Sequence, residues 1–126
     1  MSENIILTTG IYDLIKDQIR RKKVSKQEED LLTLELKNAT QVLRKELPED
    51  VVTINRRVKV LDHSTQKEQE FLFVSPDKEK IKKGKHSIMS SMGLAIVGRK
   101  AGDSVSWPFA DGEKKIEILE VKSQDI

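Results

Sequence analysis

Cysteine is absent from the 126-residue sequence, which excludes disulfide bonds, thiolate metal sites and thiol catalysis. Aromatic residues are scarce, at 4%, and none is interleaved with the basic residues at 20–26, so a base-stacking surface for nucleic acid is not predicted there. Apolar residues make up 37% and charged residues 35%, which allows only a lean core. The length suits one average domain, or a small domain with an appendage, and is too short for a two-domain enzyme with a central cleft.

A strong excess of charge of one sign is also missing. Lys and Arg number 23 against 21 Asp and Glu, and division at Leu47 leaves 9 against 8 before and 14 against 13 after. Neither half therefore has the positive charge expected of a dedicated DNA-binding domain. Residues 1–9 contain one short apolar run without a basic region or a small-residue cleavage site. We therefore expect no signal peptide, no membrane span and a cytoplasmic protein.

The first third of the chain has the spacing of two helices. From Thr8 onward, apolar residues recur three and four positions apart until a basic run begins at Arg20. Ser25 and Glu28 form a capping box that starts a second helix. Its apolar positions continue in a heptad-like seam up to Pro48: Leu32, Leu36, Ala39 and Leu43. A turn of about three to five residues makes the helices antiparallel, and a second helix of about 20 residues would be roughly 30 Å long.

After Pro48 the apolar spacing changes to that of strands. Alternation around Val58 and Val60, and around Phe71 and Phe73, predicts two strands with a turn between them. Residues 77–85 read as a lysine-rich loop, and residues 91–98 as one or two helical turns with Ser91 as the cap. Asp111-Gly112 predicts a final hairpin. The fold class is therefore α+β, with about four to six antiparallel strands and one short helix.

Two segments of this second half carry a family resemblance. Residues 87–98 read Ser-Ile-Met-Ser-Ser-Met-Gly-Leu-Ala-Ile-Val-Gly, and Gly102-Asp103-Ser104-Val105 follow them. Residues 47–55 read Leu-Pro-Glu-Asp-Val-Val-Thr-Ile-Asn. The first segment is similar to the C-terminal domain of the Gre family of bacterial transcription factors, and the second resembles the domain junction in its short-armed Rnk-type branch.

The resemblance implies two domains and a partner. Residues 1–47 would be a helical hairpin arm, a coiled coil, and residues 48–126 an FKBP-like Gre C-terminal domain that docks on RNA polymerase at its secondary channel. In cleavage-stimulating members, acidic residues at the hairpin tip help to bind a catalytic Mg²⁺ at the polymerase active centre. The family's acidic tip signature is missing here, where residues 24–30 read Val-Ser-Lys-Gln-Glu-Glu-Asp.

Several residues have two interpretations. The tip acids could donate to a metal or simply begin a capped helix, and the basic run could contact the partner or neutralise a helix end. Ser90 and Ser91 could cap the short helix or contact the polymerase, together with Met92. The lysines of residues 77–85 could form a docking patch or a solvated, mobile loop. The tip acids are Glu28, Glu29 and Asp30; the basic partner-binding candidates are Arg20, Arg21 and Lys23.

We therefore predict a regulator without catalysis of its own, which binds RNA polymerase at the secondary channel and modulates elongation as a monomer. It would use no cofactor and no metal, contact no membrane, and meet nucleic acid only through the polymerase complex. The alternative is a cleavage-stimulating elongation factor that uses the acidic tip. Prolyl isomerase activity, which the FKBP-like fold suggests, lacks the aromatic residues for its pocket, and an adaptor that pairs its hairpin seam with a partner helix would be an obligate dimer.

Overall fold

The protein is described by a computed structural model covering residues 5–123. Its residues group into two compact units, Met1–Pro48 and Glu49–Ile126. The first unit contains two helices and a two-stranded sheet, and the second contains a five-stranded sheet with one short helix. The α+β class predicted from the sequence is confirmed.

In the first unit, two short strands flank a pair of helices. Strand β1 (Ile6–Thr8) leads directly into helix α1 (Thr9–Arg20), and helix α2 (Lys26–Asn38) is followed by strand β2 (Thr40–Val42). The two strands pair in parallel, with Ile6 opposite Thr40. The Thr8 hydroxyl accepts a hydrogen bond from the backbone of Ile11 at 3.3 Å and so caps α1. The buried apolar residues of the two helices are Ile11, Ile15, Leu32 and Leu36.

The second helix is shorter than the sequence predicted, so the predicted length of about 20 residues was wrong. It ends at Asn38, so Ala39 and Leu43 lie outside it, and Leu43 is 58% exposed. Two of the three β2 residues, Thr40 and Val42, are β-branched and suit a strand. Pairing with β1 therefore replaces the helical bonds that the heptad spacing would have continued. A 3-10 turn (Arg44–Glu46) follows before Pro48.

The sheet of the second unit is mixed. Its strands are β3 (Arg56–Asp62), β4 (Lys67–Val74), β5 (Lys85–Ser87), β6 (Ser104–Phe109) and β7 (Gly112–Ser123), in the order β5-β4-β3-β7-β6. The pairs β3–β4, β3–β7 and β6–β7 are antiparallel as predicted, but β5 lies parallel to β4. The prediction of antiparallel strands throughout was therefore wrong for β5, at one edge of the sheet. A three-residue strand is too short to show alternation in the sequence.

One face of this sheet forms the core of the second unit together with helix α3 (Ser91–Ile96). Trp107 and Phe73 are its largest fully buried side chains. The other core residues on the central strands and the helix include Val58, Val60, Ile116, Ile118, Leu94 and Ile96. The final hairpin is confirmed, with Phe109 paired to Gly112, so Ala110 and Asp111 form the loop one position earlier than predicted.

Candidate functional site

The turn between α1 and α2 ends the first helix with a residue in the left-handed conformation. Lys22 has φ 58°, and its N–H bonds to the carbonyl of Ile19 at 3.1 Å. The N–H of Lys23 bonds to the carbonyl of Gln18 at 3.0 Å. These two bonds form a Schellman motif, in which glycine is the usual left-handed residue. A lysine with this positive φ is sterically strained, whereas a glycine would not be.

Glu28 is buried at the start of α2, with 7% of the residue exposed. Its Oε1 accepts a hydrogen bond from the Ser25 N–H at 3.0 Å, and its own N–H donates to Ser25 Oγ at 3.1 Å. The predicted capping box is confirmed. The Glu28 carboxylate therefore satisfies a backbone donor at the positive end of the helix dipole.

Glu29 and Asp30 form ion pairs with two lysines of the same turn. The Lys26 Nζ lies 3.1 Å from the Asp30 carboxylate and 3.8 Å from that of Glu29, and the Lys22 Nζ lies 3.7 Å from Glu29. The hydrogen bond to Asp30, with the charges of Asp30 and Glu29, raises the pKa of Lys26 above its ordinary value. This network was not predicted from the sequence, although the spacing of three and four residues from Lys26 was a signal for it.

The three basic candidates lie at the same end of the helix pair. Arg20 and Arg21 both bind the Asp17 carboxylate, Arg21 through Nε at 3.1 Å. The hydrogen bond from Arg20, followed by the Arg21 charge, lowers the pKa of Asp17. Both arginine side chains remain mostly exposed, and Lys23 is exposed as well. The site therefore presents cations to solvent, while its acids are paired within the chain.

The described residues contain no preformed cluster of metal ligands. Within residues 5–123, no group of three or more His, Asp or Glu side chains is placed to bind a metal ion. The tip acids in particular are divided between a capping box and ion pairs.

The second candidate surface surrounds the start of α3. Ser90 caps this helix, because its Oγ accepts a hydrogen bond from the Gly93 N–H at 3.3 Å. The sequence predicted the cap at Ser91, so this prediction was wrong by one residue. Ser91 is the first helical residue and is exposed, whereas Met92 is half-buried. Ser91 is therefore the accessible side chain of this segment, and Ser90 and Met92 are both half-buried.

The segment before α3 has internal hydrogen bonds that were not predicted from the sequence. The Ser87 Oγ accepts a hydrogen bond from the Met89 N–H at 3.0 Å, and the Ser87 N–H donates to the Glu79 carboxylate at 3.0 Å. Ser87 itself is buried. These bonds connect the residues before α3 to the lysine-rich loop.

That loop, residues 77–85 and from here the lysine loop, is closed by its own backbone. Lys80 and Lys85 exchange hydrogen bonds of 2.9 and 3.0 Å, and Gly84 takes the left-handed conformation with φ 74°. The carbonyl of Gly84 also accepts a hydrogen bond from the Leu72 N–H of β4 at 3.2 Å. The loop is thus a defined turn attached to the sheet edge.

No helix in the part of the chain that the structure describes is both long and apolar enough to cross a bilayer.

The arrangement described so far, a helix pair in one unit and a mixed five-stranded sheet with a short helix in the other, also occurs in solved structures. A prokaryotic transcription elongation factor GreA/GreB from Nitrosomonas europaea matches with a TM-score of 0.68 and 27% identity, over 96% of this chain and 99% of that one. Thermus aquaticus Gfh1 matches with a TM-score of 0.53 and 17% identity, over 97% of this chain and all of that one, which shows the fold alone.

Sequence comparisons define the family. The model for the C-terminal domain of transcription elongation factor GreA/GreB matches residues 47–123. Transcription elongation factor GreA of Clostridium botulinum strain Eklund 17B is 35% identical over 127 residues, which cover 97% of this chain and 79% of the relative. The GreA of strain Hall is 40% identical over 86 residues, so the match spans about half of that relative, 54%. The chain belongs to the GreA/GreB family of transcription elongation factors.

Proposed function

We propose that this chain binds bacterial RNA polymerase at its secondary channel in the cytoplasm and modulates elongation by occupying that site, without delivering acids to the active centre. Residues 1–47 would act as the arm, paired as a coiled coil, and residues 48–126 as an FKBP-like docking domain. Nucleic acid would be met only through the polymerase complex. In this proposal the chain would resemble the short-armed, Rnk-type members of the family.

One observation carries the proposal: the carboxylates at the turn are already used within the chain. Glu28 is buried in the capping box, and Glu29 and Asp30 share Lys26. A Mg²⁺ ion needs carboxylate oxygens that are free to approach it. Recruiting Glu28 would uncap α2, and recruiting Glu29 or Asp30 would displace a lysine ammonium, so metal delivery is disfavoured at this turn.

The length of the helices supports the same proposal. Helix α2 has 13 residues, which gives about 20 Å at 1.5 Å per residue. The sequence predicted a helix of roughly 30 Å, a length that already favoured a short arm, and the observed helix is shorter still. A short arm can block an entrance and compete with longer factors by mass action.

We assign the contacts to two sets of side chains, which are exposed except for the half-buried Met92. Ser91 and Met92, next to the capping Ser90, would dock the second unit on the polymerase. Arg20, Arg21 and Lys23 would face acidic groups along the channel.

The test is co-purification of the tagged chain with bacterial RNA polymerase, followed by transcript cleavage in stalled complexes with Mg²⁺. We expect binding without cleavage. The variant Ser91→Glu should weaken binding about tenfold, because it introduces a charge at the contact. The matched control is Ser104→Glu, which changes an exposed serine at the start of β6.

Two outcomes contradict the proposal in different ways. Cleavage that disappears in Glu29→Ala/Asp30→Ala, but persists in the control Glu49→Ala/Asp50→Ala, would identify a cleavage-stimulating factor that uses its tip acids. Absence of any binding to the polymerase would remove both polymerase functions.

A further inference from the structure

The lysine loop exposes an apolar side chain at its turn. Ile81 is 60% exposed, and it is preceded by Lys80 and followed by Lys82 and Lys83. Among residues 5–123, the large hydrophobic side chains with such exposure are Leu34, Leu43 and Ile81, and of these Ile81 alone belongs to the second unit. Covering an exposed apolar side chain with a partner removes it from water, which lowers the free energy.

The lysines of this loop form no ion pair with any acidic residue between positions 5 and 123. Within the described residues, none of the five lies within ion-pair distance of a carboxylate, in contrast to Lys26 and Lys114, which pair with Asp30 and Asp111. The Glu79 carboxylate accepts the hydrogen bond from the Ser87 backbone instead. The five are Lys78, Lys80, Lys82, Lys83 and Lys85. Their positive charge is therefore available to an external partner.

The loop is also preorganised. The paired bonds between Lys80 and Lys85, and the bond from Leu72 to Gly84, fix its backbone before any partner arrives. A surface that is already ordered loses less conformational entropy on binding than a flexible one.

We propose that the lysine loop is a docking surface for a compact acidic protein segment that carries an apolar side chain, with Ile81 as the apolar contact and the lysines as the charged rim. An apolar centre surrounded by a polar, solvent-accessible rim is the usual arrangement of a protein interface. This site is distinct from the residues assigned to polymerase docking, and its test does not depend on that function.

The surroundings of the loop favour a compact partner over an extended polyanion. Leu72 of β4 pairs with Lys85 of β5. Toward the start of β4, Glu68 is exposed, and the exposed Glu70 carboxylate pairs with Arg57 at 3.4 Å. A nucleic acid duplex or an anionic membrane would extend past the lysines and meet the Glu68 carboxylate, whereas a short acidic segment can contact the lysines alone.

The experiment uses the full chain and defined probes in fluorescence anisotropy at two salt concentrations. The main probe is a labelled peptide of about a dozen Asp and Glu residues around one central leucine, and the second has serine in place of that leucine. We expect the leucine peptide to bind about fivefold or more tighter than the serine peptide. Lys82→Gln/Lys83→Gln should weaken binding about tenfold and reduce its salt dependence, and Ile81→Ser should remove the preference for leucine.

Matched control variants lie in the first unit. Leu34→Ser changes a leucine that is 59% exposed, close to the 60% of Ile81, and Lys37→Gln/Lys45→Gln removes the same charge from exposed positions. Both controls should bind the leucine peptide like the unchanged chain. The proposal is overturned if the controls lose as much affinity as the loop variants, or if the two peptides bind equally. It is also overturned if the unchanged chain binds neither peptide, or if the loop residues bind duplex DNA or phosphatidylserine vesicles more tightly than the leucine peptide.

Discussion

A Cβ atom on Gly93 would lie 2.2 Å from the carbonyl oxygen of Ile88. Ile88 is fully buried, and its backbone N–H donates to the carbonyl of Val74 at 2.9 Å. The Ile88 backbone therefore cannot move aside without weakening its hydrogen bond to β4. Helix α3 packs against this segment because position 93 has no side chain.

Gly93→Ala should lower the free energy of unfolding of the second unit by about 2 kcal/mol, since an added methyl group in close packing costs about 1–3 kcal/mol. Urea unfolding followed by the fluorescence of the buried Trp107 measures this change. Gly10→Ala is the control, because nothing lies within 4 Å of a Cβ at that helical position. By circular dichroism it should leave stability unchanged or raise it by up to about 1 kcal/mol. Equal effects of the two substitutions would contradict the packing argument.

Glu28→Ala should lower helix stability by about 1 kcal/mol, because it removes half of the capping box at the start of α2. Asp30→Ala should change stability by less than about 0.5 kcal/mol, since that side chain is 65% exposed and makes a surface ion pair. Urea titrations followed by far-ultraviolet circular dichroism distinguish the two. A stabilisation by Mg²⁺ that either alanine abolishes would show that these acids bind a metal after all.

Lys22→Gly should raise the stability of the helix pair by up to about 1 kcal/mol, because glycine adopts the positive φ of this position without steric cost. The ion pair lost with Glu29 spans 3.7 Å from an exposed lysine ammonium and contributes little. Lys22→Ala separates the effects, since it removes the charge and keeps the strain. If the alanine variant gained as much stability as the glycine variant, the left-handed backbone would not be the cause.

Asp62 should make stability depend on pH at acidic values. Its carboxylate accepts hydrogen bonds from the Ser64 hydroxyl and N–H at 2.6 and 2.9 Å. The Ser64 hydrogen bonds, with the Lys114 charge, lower the pKa of this buried group from its ordinary 3.8. The pKa of Asp62 is therefore lower in the folded state than in the unfolded state. Its stabilising effect is complete at pH values above the unfolded-state pKa, and it is lost as the pH falls through the folded-state pKa.

The measurement compares the unfolding free energies of the unchanged chain and Asp62→Asn across this range. The difference should be constant from about pH 7 to about pH 5 and shrink below about pH 4. A difference that stays constant into the acid range would mean that the charge of Asp62 does not stabilise the fold.

Local signals predicted the elements whose partners lie nearby in the chain. The capping box of Ser25 and Glu28 depends on two residues three positions apart, and the structure contains both of its hydrogen bonds. Alternation around Val58 and Val60 similarly predicted β3, because period-two spacing reports one buried face.

The elements that were not predicted from the sequence depend on pairing between strands that lie far apart in the chain or are too short to show a pattern. Helix α2 ends at Asn38 because Thr40 pairs with Ile6, which lies more than thirty residues earlier and has no local signal. The parallel strand β5 likewise depends on β4. At the candidate site, the sequence predicted that Glu28, Glu29 and Asp30 lie at the start of α2, and they do. The ion pairs of Glu29 and Asp30 with Lys26 could be seen only from the side-chain geometry.

The parallel pairing of β1 with β2 has a mechanical consequence. The chain enters this ladder at Ile6 and leaves it at Val42, so tension between the two ends pulls the strands in opposite directions along their length. The interstrand hydrogen bonds are then loaded together in shear instead of opening one after another. A pulling force along the chain is thereby carried by these six residues and bypasses the helices between them, so the turn at Lys22 keeps its conformation under load.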